Sequence, residues 1–218
     1  SLDDLHIFFE VIKKDSDRLI RMVNDMLDIE RIEMGTSELH FTNANLSYII
    51  AEALTYFQIH ADEKGVRLNA HIPDNLTACI DEDRIKQVLI NLLANALKFS
   101  PDGAEIMIFA YHEKNSVVVE IWDDGPGIPL SEHEKVFEKF YKNSKREGTG
   151  LGLAISKSII EAHHGIIGVN SDGSGGSCFY FKLPYMDCKT DTSCKEHIEQ
   201  IAQQHKLLEI TKKITAPC

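Results

Sequence analysis

The sequence predicts a mixed α/β fold that is preceded by one long helix. Two patterns indicate this: apolar residues recur every three or four positions through roughly the first thirty residues, and short alternating segments follow from Thr36 onward. The 218 residues, 43% hydrophobic and 26% charged, have room for one large domain, or for a small domain and an appendage. This balance is typical of a globular protein and excludes a disordered or collagen-like chain.

The first segment has one apolar helical face. Its members are Leu5, Phe8, Phe9, Ile12, Leu19, Val23, Met26 and Leu27. Gly35 stands where a C-terminal cap is expected. A helix of this length measures roughly 45 Å, which is longer than most helices that lie flat on a small domain. We therefore expect its apolar stripe to pair with another long helix.

From Thr36 to Pro184 the patterns alternate between strands and helices. Alternation predicts strands at 39–41, 66–72, 76–80, 104–112, 116–122, 166–170 and 177–183. Periodicity predicts helices at 46–60, 81–100 and 151–163, and a short one near 131–140. Asp81 is expected to cap the second of these helices, and Gly165 is expected to close the third. Turn residues at 73–75, 101–103 and 173–176 separate neighbouring strands and helices.

The tail from 185 to 218 differs from the segments before it. It is polar at first and then places Ile198, Ile201, His205 and Leu208 at heptad spacing. This spacing predicts a short helix.

Charge and composition exclude some function classes. The net charge is −11, so phosphates would meet a repulsive field and we expect no general nucleic-acid binding. No apolar stretch approaches the roughly 20 residues of a spanning helix, so no membrane segment is expected in this chain. Five Cys without a CxxC pair do not suit a closed disulfide framework. A reducing, cytoplasmic location is therefore expected, whether or not the parent protein is membrane-anchored.

Two polar clusters stand on predicted elements. Asn91, Asn95 and Lys98 lie at i, i+4 and i+7, so they share one helix face. Amide oxygens suit Mg²⁺ and a lysine can neutralise a phosphate, but taken alone this cluster is better explained as a solvated polar face. The segment 123–128, Asp-Asp-Gly-Pro-Gly-Ile, leaves a strand. Its carboxylate can accept a hydrogen bond from an exocyclic amine; the alternative is an acidic turn.

Two further clusters lie near the last long helix. Aromatic residues at 136–141 precede Lys142, Lys145 and Arg146, which either hold a triphosphate from a mobile loop or form a solvated loop. The segment 148–153, Gly-Thr-Gly-Leu-Gly-Leu, enters the helix and exposes backbone N–H groups to an anion. It matches neither a Walker loop nor a Rossmann loop, and a flexible hinge is the alternative.

Taken in order, segments 91–99, 123–128, 136–141 and 148–153 resemble the N, G1, F and G2 boxes of sensor histidine kinases. These kinases belong to an ATPase group that includes gyrase B, the Hsp90 chaperones and MutL. Residues 1–35 resemble the second helix of the kinase dimerisation domain, and 36–184 would be the ATP-binding catalytic domain. The tail, 185–218, is not covered. The fold implied is an α/β (α+β) sandwich: a mixed sheet packed against helices on one face, preceded by a long dimerisation helix.

The resemblance also implies ligands, site residues and partners. ATP and Mg²⁺ are the expected ligands, with Asn95 on the metal, Asn91 and Lys98 on the phosphates and Asp123 on the adenine amine. The remaining expected nucleotide contacts are Phe99, Gly125, Gly127, Ile128, Lys142, Gly148, Thr149, Gly150, Leu151, Gly152 and Leu153. The implied partners are a histidine of a dimerisation domain, a response regulator and a second copy of the chain, bound through the first helix.

The residue at position 91 distinguishes ATP hydrolysis from phosphoryl transfer to a protein within this group. Gyrase B, Hsp90 and MutL are known for a Glu at this position that activates water, whereas an amide cannot act as a base at neutral pH. Phosphoryl transfer to a protein side chain is therefore favoured over rapid hydrolysis. The alternatives are an ATP-hydrolysing conformational switch of the gyrase/Hsp90/MutL type and a non-catalytic nucleotide-binding regulatory module.

The acceptor histidine is expected to lie outside this segment. The family pattern is a His followed by an acidic residue, with a Pro a few residues on. His6 precedes Ile7, while His112 and His133 precede Glu but lack the Pro and fall within the nucleotide domain. The chain should therefore bind ATP without offering its own substrate histidine.

Overall fold

The structure, a computed structural model, describes residues 2–36, 38–142 and 149–184. Its first element is the predicted long helix, α1, which spans Leu2–Glu33. Gly35 ends this helix as predicted, with a left-handed φ of 65°. The N–H groups of Gly35 and Thr36 donate to the carbonyls of Ile32 and Arg31, which satisfies the last turn of the helix.

Among the described residues, three more helices and seven strands follow. The helices are α2 (Leu46–Lys64), α3 (Glu82–Phe99) and α4 (Gly152–Ala162). The strands are β1 (Thr42–Asn45), β2 (Arg67–His71), β3 (Thr77–Ile80), β4 (Glu105–Glu113), β5 (Ser116–Asp123), β6 (Ile166–Asn170) and β7 (Ser177–Pro184). Most predicted elements are confirmed to within a few residues.

The strands form a mixed five-stranded sheet in the order β2-β4-β5-β7-β6 and a separate β1-β3 pair. Only β2 and β4 run parallel, and the other neighbours are antiparallel. Helices α2, α3 and α4 contact β2, β5 and β6 respectively. Alternate strand residues such as Ile106, Ile108 and Ile121 are buried in the same core cluster as these helices. The predicted sandwich, with helices on one face of a mixed sheet, is therefore confirmed.

The last turns of α1 join this core. Ile29 and Ile32 are buried, and Met22 packs against the same cluster. The predicted apolar stripe lies elsewhere on the helix: Phe8, Phe9, Ile12, Leu19, Val23, Met26 and Leu27 are exposed. Leu5 is part of the helix, but its side chain lies outside the described set. The surface that packs on the domain is therefore distinct from the stripe.

Two predicted boundaries are wrong, each because a distant residue competes for the backbone. The strand expected at 39–41 lies at Thr42–Asn45 instead, because the N–H of His40 donates to Asp81 Oδ2 at 2.9 Å rather than to a strand. The helix expected near 131–140 is two 3-10 turns, Leu130–Glu132 and Lys135–Phe137. Phe140 takes a φ of 65° and donates to the carbonyl of Gly150, so no helix continues through it.

The turn predicted at 73–75 is present, and the closure predicted at Gly165 is shared with the residue before it. The turn at 73–75 does not join paired strands, since β2 pairs with β4 and β3 with β1. At the end of α4 the left-handed residue is His164, with a φ of 57°, while the N–H of Gly165 donates to the carbonyl of Ile160 at 2.9 Å. Gly165 is needed for another reason: a Cβ there would collide with the carbonyl oxygen of Lys182.

His163 is a buried polar link between α4 and α3. Its Nε2 accepts from the backbone N–H of Asp81 at 3.0 Å, and its Nδ1 lies 2.8 Å from the carbonyl oxygen of Ile159. This arrangement requires the neutral ring protonated at Nδ1. The edge of the Phe41 ring packs against it. Burial holds the pKa of His163 below its usual value.

The buried imidazole predicts an acid-sensitive fold. Below about pH 6.5 the unfolded chain protonates this histidine while the folded chain does not, so the free energy of unfolding should fall as the pH falls. The slope from this one group is at most about 1.4 kcal/mol per pH unit. When the free energy of unfolding is measured with urea from pH 7.5 to 5, its dependence on pH should be weaker for His163→Gln than for the unmodified chain. The same change at exposed His60 is the matched control, and an equal effect of both variants would contradict the assignment.

Within the described ranges, no helix is long and apolar enough to cross a membrane.

Candidate functional site

The polar face of α3 holds the first group of predicted site residues. Asp81 caps the helix as predicted, with Oδ1 accepting from the N–H of Arg84. The buried side of α3, which includes Leu92 and Ala96, fixes its rotation against the core. Asn91, Asn95, Lys98 and Phe99 are consequently all half-buried along the other side. The ammonium of Lys98 lies 4.8 Å from the centre of the Phe99 ring.

The carboxylate of Asp123 is held at the end of β5 beside this helix face. It is 7% exposed, and its Oδ1 accepts from the N–H of Gly125 at 2.8 Å. Burial is the main cause that raises the pKa of Asp123 to about 6, and the neighbouring Asp124 acts in the same direction. A carboxylate has a second oxygen that can accept further hydrogen bonds.

The backbone of the following loop approaches its neighbours too closely for side chains. A Cβ at Gly125 would lie 2.5 Å from Asp123 Oδ1 and 3.5 Å from Phe99 Cβ. Gly127 has a φ of 77°, and a Cβ there would lie 3.1 Å from the backbone of Gly173. The loop therefore passes close to Asp123 and Phe99 on one side and to the 173–175 turn on the other. Ile128 is tied down through its N–H, which donates to Ser171 Oγ at 2.9 Å.

The start of α4 lies on the other side of Asn91. The side-chain Nδ2 of Asn91 donates to the carbonyl of Gly152 at 3.0 Å and to Ser156 Oγ at 3.3 Å. A Cβ at Gly152 would lie 3.5 Å from Asn91 Cγ, so the two elements are in direct contact. The structure thus brings the predicted amide face together with the glycine loop that opens α4.

The glycine loop itself is fixed by its neighbours. Gly150 has a φ of 75°, and a Cβ there would lie 2.9 Å from the carbonyl carbon of Phe140. Thr149 Oγ1 accepts from the N–H of Leu151 at 3.3 Å. The side chain of Leu151 is buried and that of Leu153 packs against the core, so Leu151 can offer a ligand only its backbone.

The cationic part of the prediction is largely outside the described residues. Lys145, Arg146 and Gly148 fall in the segment 143–148. Lys142 is exposed, and no hydrogen bond or ion pair within the described ranges ties it to the other predicted site residues.

Three supporting residues were missed by sequence reasoning. Ser156 and Ser171 hold Asn91 and Ile128, as described above. Lys139 Nζ lies 2.9 Å from Glu33 Oε2 and 3.5 Å from Glu30 Oε1, which links the segment before Phe140 to α1. Helical spacing from Gly152 could have indicated Ser156. No local signal marks Ser171 or Lys139, because their partners are 43 and 106 residues away.

The contact between Gly125 and Asp123 predicts a specific loss of ligand affinity. An alanine at position 125 must push the Asp123 carboxylate aside, because its Cβ would lie 2.5 Å from Oδ1. Gly125→Ala should weaken adenine-nucleotide binding by about tenfold or more, the effect of losing one good hydrogen bond to a charged group. Gly175→Ala is the matched control, because a Cβ there meets no atom within 4 Å. Calorimetric titration of both variants with ATP tests this prediction, and equal ATP affinities of the two variants would contradict it.

Comparison with known proteins identifies the family. Residues 80–187 match the family described as histidine kinase-, DNA gyrase B- and HSP90-like ATPase. The sensor histidine kinase TmoS of Ectopseudomonas mendocina is 34% identical over 182 residues, which are 81% of this chain and 19% of TmoS. The chain thus spans about a fifth of the length of that relative.

Solved structures show the same similarity. The nucleotide-free catalytic domain of the histidine kinase ThkA matches with a TM-score of 0.62 and 33% identity, over 67% of this chain and 96% of that domain. ThkA in complex with the response regulator TrrA matches with a TM-score of 0.69 and 29% identity, over 85% of this chain and 53% of the ThkA chain. Full-length ShkA in complex with AMPPNP matches with a TM-score of 0.74 and 26% identity, over 83% of this chain and 38% of the ShkA chain.

The chain belongs to this ATPase family, and it contains the ATP-binding catalytic domain of a sensor histidine kinase. The family predicted from the four boxes is therefore confirmed.

Proposed function

We propose that this chain binds Mg·ATP between α3 and the two glycine loops and transfers the γ-phosphoryl group to a histidine outside the segment. The buried carboxylate of Asp123 carries this proposal. It lies beside the Gly125 loop at the end of α3. Burial raises its pKa to about 6, which is still below 7, so the carboxylate is mostly ionised at neutral pH. A buried carboxylate with one oxygen left unused by the loop suits an exocyclic amine. AMPPNP, an ATP analogue, is the ligand named in the structure of the related ShkA.

The phosphates would lie towards the start of α4. The backbone N–H groups at 149–152 open this helix, where an anion is favoured by the helix dipole. Asn91 already contacts Gly152 there, and Lys98 stands two turns further along the same face of α3. Lys142, Lys145 and Arg146 are proposed to neutralise the phosphates.

The described residues supply too few metal ligands to hold Mg²⁺ alone, so we expect the ion to bind together with the phosphates of ATP. No group of three or more His, Cys, Asp or Glu side chains in the described part of the chain could hold a metal ion. The half-buried amide of Asn95, between Asn91 and Lys98, is the proposed protein ligand. Bound Mg²⁺ would supply charge neutralisation for the phosphates, while the protein residues orient the nucleotide.

The chemistry at Asn91 favours transfer over hydrolysis. Its amide donates to Gly152 and Ser156, so it contributes to the shape of the site and offers no base to activate water. Transfer then depends on positioning an acceptor in line with the γ-phosphate. The proposed partners are therefore a histidine of a dimerisation domain and, downstream, a response regulator such as the one named in the ThkA complex.

The long helix is the proposed dimerisation element. We assign 1–35 to the second helix of a dimerisation domain, 36–184 to the catalytic domain and 185–218 to an appended tail. The exposed stripe of α1, from Phe8 to Leu27, is an apolar surface that a second copy would cover.

Labelling with γ-³²P-ATP tests this function. The chain alone should remain unlabelled although it binds ATP, while an added dimerisation domain with an intact acceptor histidine should take up acid-labile label. Asn95→Ala should abolish the transfer. Continuous release of phosphate by the chain alone would favour an ATP-hydrolysing switch, and tight ATP binding without transfer would favour a regulatory module. Label on the chain itself would show that one of its own histidines is the acceptor.

A further inference from the structure

The face of the five-stranded sheet opposite the helices has a carboxylate among aromatic rings. Alternate residues of β4, β5 and β7 are buried in the core with the helices, so the residues between them point to the opposite face. On that face Glu120 of β5 is directly paired with Phe109 of β4 and Tyr180 of β7. Tyr111 and Trp122 are bonded to the same carboxylate. We call Glu120 and these four rings the aromatic face.

The centre of the aromatic face is held in place by its own hydrogen bonds. Oε1 of Glu120 accepts from the hydroxyl of Tyr111 at 2.9 Å, and Oε2 accepts from Nε1 of Trp122 at 3.2 Å. These two rings are also open to solvent, with Tyr111 38% exposed and Trp122 44% exposed. Phe109, by contrast, is stacked against His71 with a centroid separation of 5.0 Å. The accessible part of the face is therefore the two rings that donate to Glu120.

The carboxylate of Glu120 gives the aromatic face a negative centre. The two groups that donate to it are neutral, whereas the neighbouring Glu113 lies 2.7 Å from the ammonium of Lys182. Burial is the main cause that raises the pKa of Tyr111 and of the free thiol of Cys178 to about 12 each, and Glu120 acts in the same direction on both. The charge of Glu120 thus adds to the negative faces of the rings around it.

This combination of groups suits an arginine side chain. A guanidinium is planar, so it stacks on aromatic rings, of which tryptophan is the most favourable, and its N–H fork bonds to a carboxylate. A carboxylate oxygen can accept two hydrogen bonds, so the bonds from Tyr111 and Trp122 leave capacity for such a fork. The net charge of −11 also attracts a basic partner to the chain.

We propose that the aromatic face is a docking surface for a basic partner protein, whose arginine side chain stacks on Tyr111 and Trp122 and bonds to Glu120. This surface lies on the other side of the sheet from the helices that form the proposed nucleotide site, and the proposal does not depend on that site. The rings are already fixed by their hydrogen bonds, so docking costs little side-chain entropy.

The fluorescence of Trp122 reports on this face, because Trp122 is the sole tryptophan of the chain. The full-length chain is titrated with the peptide acetyl-Gly-Arg-Gly-amide and with the same peptide carrying citrulline, which has nearly the shape of arginine without its charge. The arginine peptide should change the emission of Trp122 saturably. It should bind at least about fivefold more tightly than the citrulline peptide, because only arginine offers a charged group to the rings and to Glu120.

Two variants test the two parts of the site separately. Glu120→Gln should weaken binding of the arginine peptide about tenfold, because a hydrogen bond between two charged groups is lost. Tyr111→Leu removes one ring and keeps the carboxylate, so it should weaken binding about two- to fivefold. Glu63→Gln is the matched control, since it makes the same change of charge at an exposed position of α2.

Four outcomes would overturn the proposal. The first is an arginine peptide that leaves the emission of Trp122 unchanged, and the second is equal binding of the arginine and citrulline peptides. The third is an equal loss of binding in Glu120→Gln and Glu63→Gln, which would show attraction by net charge without a site. The fourth is emission that depends on protein concentration in the absence of peptide, which would identify a second copy as the occupant.

The nucleotide site is checked independently in the same variant. ATP affinity of Glu120→Gln, measured by calorimetry, should equal that of the unmodified chain. Failure of the nucleotide proposal would therefore be seen separately from failure of the docking proposal, and a changed ATP affinity would contradict the independence of the two surfaces.

Discussion

The unmodified chain should bind ATP at least about tenfold more tightly than GTP, and Asp123→Asn should narrow that preference. The Oδ1 atom of Asp123 is held by the N–H of Gly125. In the proposed site the second carboxylate oxygen would therefore accept from the base. Adenine offers an amine to that oxygen, whereas guanine has a carbonyl at the same position. In Asp123→Asn the retained Oδ1 bond would turn the amide N–H₂ towards the base, where it opposes the adenine amine and suits the guanine carbonyl.

The expected loss of ATP affinity is about 10- to 150-fold, because one hydrogen bond to a charged group contributes roughly 1.5–3 kcal/mol. Calorimetry with ATP and GTP on both proteins measures the two effects together. Equal affinity of the unmodified chain for the two nucleotides would remove Asp123 from base recognition.

The raised pKa adds a pH test of the same residue. Because the pKa of Asp123 is about 6, the carboxylate gains a proton as the pH falls through that value and loses part of its capacity to accept. ATP affinity of the unmodified chain should therefore fall between pH 7 and 5. ATP itself gains a proton in this pH range, and this affects both proteins equally. The ATP affinity of Asp123→Asn, which lacks the carboxylate, should therefore fall less than that of the unmodified chain. Parallel pH profiles of the two proteins would contradict the assignment.

Loss of the Asn95 amide should abolish the contribution of magnesium to ATP affinity. Asn95→Ala removes the proposed protein ligand of the metal, with an expected cost of about 10- to 150-fold in Mg·ATP affinity. Without magnesium the variant and the unmodified chain should bind ATP equally. Because Asn95 is half-buried at the surface of α3, the fold should be retained.

Asn91→Ala provides the contrasting variant. Its side chain contacts Gly152 and Ser156, so its removal loosens the start of α4 whether or not metal is present. Titration of magnesium at fixed ATP should therefore separate the two variants. An unchanged magnesium dependence in Asn95→Ala would exclude Asn95 as a ligand of the metal.

Local chemistry in the sequence predicts much of this fold. Asp81 and Gly35 mark helix ends through their own hydrogen bonding and backbone freedom, and both are confirmed. The mixed sheet follows from short alternating segments separated by turn residues. The two glycine loops and the amide face of α3 could be predicted because each residue type is required by the local backbone or by the helical period.

Tertiary contacts account for the features that sequence reasoning did not predict. His40 lies before β1 instead of within a strand because its N–H bonds to a side chain 41 residues away. Phe140 adopts left-handed backbone because it bonds to Gly150, which overrides its preference for a regular helix. The support that Ser171 gives to Ile128 likewise depends on a fold that must already exist. The partners of His40 and Ile128 lie more than 40 residues away in the sequence, outside any local window.

The packing of Ile29 and Ile32 makes α1 a stiff lever on the catalytic core. From Ile29 back to Leu2 the helix extends about 40 Å, and its end at the core is fixed by buried side chains and by the ion pairs of Lys139. A tilt of about 10° at the packed end would displace the far end by about 7 Å over that length. A rearrangement near Lys139 that tilted the packed end would therefore be amplified as a larger displacement at the start of α1.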